Sequence, residues 1–315
     1  MKGRTLFVRV LVAVVGIATL VSSAAVVLAR WDAIAGAATG LRPAWLALGA
    51  VVLGLCYGFL CVLWWALVRC LGAPLRLSTA LHAFALAQLP KYVPGRVVGH
   101  GVRASVLRTT GVPVPVAIAS LALEGVLGLL GALAVAAGGL LVGIRVTDGA
   151  ATRWLLLAFG AAIFAGTLGL FVRWPHGGWR ERLGLAGLTG RRSRLLVITG
   201  GYAASWLPIG LAYWLLANAV TTFDVAHFLP LMVAVAVATG IGQLAIVAPG
   251  GIGVREGALF LFARAWMSDP QALLFVSLSR AVVIGIEAAL TLGATAYSLA
   301  RASRTPAAPS TPPAA

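Results

Sequence analysis

Apolar runs longer than twenty residues recur along this chain, and they decide most of what it can fold into. Residues 43–68, 114–144, 195–220 and 271–300 each reach the roughly 20 residues that a helix needs to cross a bilayer. Two more runs, ending at Ala29 and at Val172, bring the expected number of full spans to six. The chain is 61% hydrophobic and only 10% charged, so no polar segment is long enough to fold as a soluble domain. The expected fold is therefore an all-α polytopic membrane protein. Residues 1–300 form one membrane domain, and the Pro/Ala-rich residues 301–315 form a disordered tail.

The net charge of +16 would suit nucleic acid if it lay in one patch. Here the arginines cluster at the ends of apolar runs, which excludes nucleic-acid binding and makes them topology signals. Lys2, Arg4 and Arg9 precede the first run, and a basic loop carries Arg173, Arg180, Arg182, Arg191, Arg192 and Arg194. These charges are expected to place the N-terminus and the basic loop in the cytoplasm, and Arg301 and Arg304 the C-terminus. The first run is longer than the apolar core of a signal peptide, so it reads as a retained helix. Cys56, Cys61 and Cys70 lack metal or disulfide spacing and read as packed thiols.

Two apolar stretches are interrupted. Residues 77–89 stop at Pro90-Lys91-Tyr92-Val93-Pro94-Gly95-Arg96, and residues 228–247 stop at Ala248-Pro249-Gly250-Gly251-Ile252-Gly253-Val254-Arg255-Glu256. Proline removes a backbone donor, and glycine admits angles that other residues avoid. A backbone break at membrane depth survives only where protein covers it or where it lines a wet cavity. Residues 77–108 and 228–266 are therefore expected to be re-entrant hairpins from opposite faces, or, in an alternative topology, pairs of full crossings. Gln88-Leu89-x4-Pro94-Gly95 repeats as Gln243-Leu244-x4-Pro249-Gly250, the mark of an inverted repeat with its site between the halves.

Charges inside apolar runs cost roughly 2.5–3.5 kcal/mol each on insertion scales, so they are functional candidates. Ser120, Glu124, Gly128 and Gly131 share one helical face; Ser277, Arg280, Ile284, Glu287 and Thr291 share another; Arg96, His100 and Arg103 a third. These faces should turn toward one another. Half-helices that start after Pro94-Gly95 and Pro249-Gly250-Gly251-x-Gly253 would present free N–H groups to an anion, with Arg96 and Arg255 adding charge. A phosphate group fits such a site. Lys91, Tyr92, Arg103, Glu124, Glu256, Arg280 and Glu287 complete the candidate binding set. The carboxylates would neutralise arginines, hold a cationic headgroup or carry protons. No P-loop, dinucleotide fingerprint, zinc motif or nucleophilic triad is present, so neither cofactor, metal nor catalytic residue is expected.

The Lys91-to-Arg96 block, Glu124 in the following run, and the Pro249-to-Glu256 block together resemble the lysylphosphatidylglycerol synthase transmembrane-region family. That is the flippase-like membrane domain of the bacterial multiple peptide resistance factors. The resemblance implies a multi-pass protein of the bacterial inner membrane that moves a polar lipid between leaflets. Phospholipids, aminoacyl-phospholipids and polyprenyl-phosphate-linked headgroups all meet the phosphate requirement. Two-domain members add a soluble synthase domain; the 315 residues hold no counterpart, so synthase activity is not carried over. The rival expectation is a non-transporting subunit that supports an envelope glycosyl- or acyltransferase. It requires the charges to pair off with no cavity between them. A membrane-embedded transferase would need a free base, for which Glu124 is the candidate.

Overall fold

The structure, a computed structural model, describes residues 31–92, 97–141, 185, 188, 190–245, 251 and 253–303. The described elements are helical: α1 (Trp31–Ala38), α2 (Pro43–Cys70), α3 (Leu77–Leu86), α4 (Val97–Thr109), α5 (Val114–Leu141), α6 (Arg192–Ala204), α7 (Trp206–Val220), α8 (Phe228–Leu244), α9 (Val254–Ala263) and α10 (Asp269–Ala302). Short 3-10 turns, Pro90–Tyr92 and Val225–His227, precede α4 and α8. The spans expected at 11–29 and 154–172, Pro94, Gly95 and Arg96 of the first tip, Pro249 and Gly250 of the second, and the tail beyond Ser303 lie outside the described residues.

Five described segments are long and apolar enough to cross a membrane: Pro43–Cys70, Val114–Gly139, Ser193–Val220, Val225–Leu244 and Asp269–Arg301. Four of them are spans expected from sequence. The fifth is the first arm of the second interrupted stretch, which is longer than a short hairpin arm. The remaining arms are shorter: α3 and α9 have ten residues each, about 15 Å of helix against a hydrocarbon core of about 30 Å. The protein is an all-α polytopic membrane protein. On α2, Leu48, Val51, Leu55, Phe59 and Val62 are exposed in one stripe, which water would not tolerate and lipid requires. The opposite face buries Leu53, Cys56, Leu63, Trp64 and Leu67.

Helix ends follow the local sequence. Pro43 opens α2 at a position where its missing N–H costs nothing. Arg191 donates to the last carbonyls of that helix, at Arg69 (3.0 Å) and Cys70 (3.2 Å), so one topology arginine also caps a helix. The 195–220 run divides at Ser205 into α6 and α7. Pro208 explains the division, because its ring crowds the carbonyl of Ala204 and offers no donor to it. Cys56, Cys61 and Cys70 are buried free thiols.

Packing between helices follows a repeating scheme. α2 and α7 form the central pair and run antiparallel, with the Arg42 N–H before α2 bonded to Ala219 at the end of α7 (2.9 Å). Exchanging α2 with α7, α3 with α8, α4 with α9, and α5 with α10 carries neighbours onto neighbours. Thus α3 packs on α10 as α8 packs on α5, and α5 meets α6 as α10 meets α1. This is the neighbour pattern expected of a duplicated unit. Each half has its own core: Trp64, Phe84, Leu107 and Leu121 in the first, Tyr213, Leu231, Leu259 and Phe275 in the second.

The second break is tight. Gly251 has φ 70°, and a Cβ there would lie 2.7 Å from the carbonyl oxygen of Gly242. Gly251→Ala is expected to destabilise the protein by about 1–3 kcal/mol, read as a lower unfolding midpoint in detergent. Gly257→Ala, with open space around it, serves as the control.

Candidate functional site

The intramembrane charges converge. A cavity of about 410 Å³ between the halves is lined by Lys91, Tyr92, His100, Arg103, Glu124, Arg255, Arg280 and Glu287, among others. Residues spaced over most of the chain meet there because α5 packs on α8 and α10 packs on α3, so helices of both halves border the cavity.

Glu287, 1% exposed, is the anchor on the first half's side. Its carboxylate accepts hydrogen bonds from Tyr57, from Lys91 Nζ (2.6 Å) and from the Tyr92 hydroxyl (2.6 Å). Lys91 also donates to Gln88 Oε1 (3.0 Å). One turn further along α10, Thr291 donates to the Ala85 carbonyl (3.0 Å) and accepts from the Leu89 N–H (3.2 Å). The free backbone groups at the end of α3 are thus tied to α10. A buried carboxylate survives only with such donors, and here they also fix the first interruption in place.

Arg103 on α4 pairs with Glu124 on α5. Its guanidinium lies 4.8 Å from the Trp64 ring centroid and 4.3 Å from that of Phe84, so aromatic faces replace lost hydration. Glu124 is therefore engaged by a cation.

The other end is built on α8, α9 and α10. Arg255 donates to Thr239 (3.3 Å) and to the Tyr213 hydroxyl. Glu256 lies between two cations, with Oε1 at 3.5 Å from Arg255 Nη1 and 3.3 Å from Arg280 Nη1. Its Oε2 accepts the Gly253 N–H at the start of α9 (2.7 Å). Gly253 has φ 84°, a conformation that favours glycine. Arg280 also lies over the Tyr92 ring, 5.1 Å from its centroid. Its Nε and Nη2 are buried without a hydrogen-bond partner among the described residues, and so is the hydroxyl of Tyr202, which lines the cavity 2% exposed.

The structure thus brings Lys91, Tyr92, Arg103, Glu124, Arg255, Arg280 and Glu287 to one cavity. Glu256 contacts Arg255 and Arg280 and is not among the lining residues. Gly251 and Gly253 shape the second interruption. Ile284 departs from the expected face and is 39% exposed. Val283 takes its place at the cavity, because a residue four before Glu287 lies nearer its azimuth than one three before it. Sequence reasoning passed over Tyr57, Tyr202, Tyr213 and Thr239. A signal was available: of five tyrosines in the chain, four line this cavity, and Tyr57, Tyr202 and Tyr213 interrupt apolar runs.

Compared with curated proteins, the chain gives no match. The model of one protein family, described as the lysylphosphatidylglycerol synthase TM region, matches residues 8–290, which include both interruptions and every charge at the cavity. The chain belongs to the lysylphosphatidylglycerol synthase transmembrane-region family.

Proposed function

We propose that the protein is a translocator of phosphate-bearing lipids in a bacterial inner membrane. The headgroup enters the cavity between the halves, and the acyl chains stay in the bilayer. A volume of about 410 Å³ fits a headgroup and excludes a whole lipid. Arg280 carries the reading: two of its guanidinium nitrogens are buried without partners, and leaving such donors unsatisfied is costly unless an acceptor arrives. Lys91, Arg103, Arg255 and Arg280 face three carboxylates, Glu124, Glu256 and Glu287, so these described groups leave one positive charge for an anionic guest. A phosphodiester carries one negative charge.

The alternating arrangement of a pseudo-symmetric pair of interrupted helices supports the same reading. Such repeats place a site near the midplane and rock around it. In this reading both interruptions are re-entrant, and both termini lie in the cytoplasm. A non-transporting subunit would use the charges as fold clamps. Several of them do pair, but clamps require no cavity between them and no cation left short of acceptors.

The test is to purify wild type, Arg255→Ala and Glu124→Ala in mild detergent and identify bound lipids by mass spectrometry. A phosphate lipid enriched over bulk in wild type and lost from both variants is the expected result. Bulk lipid in all three would favour the supporting subunit.

A further inference from the structure

We infer that Glu256 sets the charge of the phosphate group that the cavity accepts, admitting a singly charged phosphodiester over a doubly charged phosphomonoester. This rests on the reading of the cavity as a lipid-headgroup site. Glu256 is not among the residues that line the cavity; its carboxylate contacts Arg255 and Arg280, both of which do. One carboxylate oxygen faces both guanidinium groups, at 3.5 and 3.3 Å. Two cations and one carboxylate present a single net positive charge to a guest on that side. The remaining charges do not alter this local balance: Lys91 is matched by Glu287, and Arg103 by Glu124.

A phosphomonoester loses its second proton near pH 6, so at pH 8 it carries close to two negative charges, whereas a diester carries one. With Glu256 ionised, the second charge of the monoester meets no uncompensated cation and instead approaches a carboxylate. Within a low-dielectric cavity, that repulsion is large enough to discriminate by an order of magnitude. The same carboxylate also holds the Gly253 N–H at 2.7 Å. Glutamine can keep that bond while removing the charge, so Glu256→Gln separates the selector role from the capping role.

The experiment offers wild type and Glu256→Gln, in nanodiscs at pH 8, an equimolar mixture of dioleoyl phosphatidylmethanol and dioleoyl phosphatidate. The two lipids differ by one methyl group and one charge, and the bound ratio is read by native mass spectrometry. The inference expects wild type to favour the diester and Glu256→Gln to shift the ratio toward the monoester on the order of tenfold. Glu256→Asp, which keeps the charge, should retain the wild-type preference. A ratio that moves less than threefold, with both lipids weakened alike, would make Glu256 a clamp only and overturn the inference while the headgroup site stands. Wild type binding neither lipid would overturn both.

Discussion

Arg280→Ala is expected to stop lipid exchange between leaflets while leaving the protein folded. The side chain lines the cavity, and its Nε and Nη2 have no partner among the described residues. Removing it therefore deletes few contacts of the resting protein. Glu256 keeps Arg255 and the Gly253 N–H as partners. The loss falls on the guest: truncating one side of a buried, charged hydrogen-bonded contact costs about 3 kcal/mol, or about a hundredfold in affinity. Arg280→Lys should recover only part of this, because an ammonium cannot offer the planar fork of donors that a phosphate engages. Lipid binding and the unfolding midpoint, measured on the same preparation, check the claim. A large drop in midpoint with Arg280→Ala would assign Arg280 to the fold instead.

Glu287→Ala is expected to have the largest effect on stability. The carboxylate is 1% exposed and accepts from Lys91 and from two tyrosine hydroxyls. Breaking one side of a buried ion pair costs roughly 3–5 kcal/mol. The Lys91 side chain is still 36% exposed, so water softens the loss toward the lower figure, about 3 kcal/mol. Glu287→Gln, which keeps an acceptor for the tyrosines, should cost less. Lys91→Met combined with Glu287→Met should recover much of the stability, since paired replacement leaves no orphan charge. Unfolding midpoints in detergent give the comparison. Equal midpoints for Glu287→Ala and wild type would mean that the Lys91–Glu287 contact does not hold the first interruption to α10.

Much of this architecture was legible in the residues. Apolar length alone located α2, α5, the α6–α7 pair and α10, because lipid enforces a minimum helix length. Pro208 marks a kink in the 195–220 run, and that run divides at Ser205. The Gln-Leu-x4-Pro-Gly repeat pointed to two equivalent halves, and helix neighbours do exchange in that way. Glu124, Arg280 and Glu287 stood out because charge in an apolar run is expensive. Partner choice was not legible. Nothing in the spacing joins Glu287 to Tyr57, 230 residues earlier, or Arg255 to Tyr213, 42 residues earlier. The first contact forms when the two halves meet and the second when α9 folds back toward α7, and neither event is written in local spacing. The aromatic floor under Arg103 was hidden as well, because Trp64 and Phe84 reach it from α2 and α3, far from it in sequence. The place of Glu256, adjacent to Arg255 in sequence yet not among the lining residues, depends on how Gly253 starts α9.

The most direct test of translocation is to reconstitute the protein into vesicles with a trace of fluorescent phosphatidylglycerol and add an impermeant quencher. Translocation predicts that wild type exposes nearly all of the probe within minutes. Arg280→Ala vesicles and protein-free vesicles should stop near half, the outer-leaflet share. Quenching that stops near half with folded wild-type protein as well would contradict it.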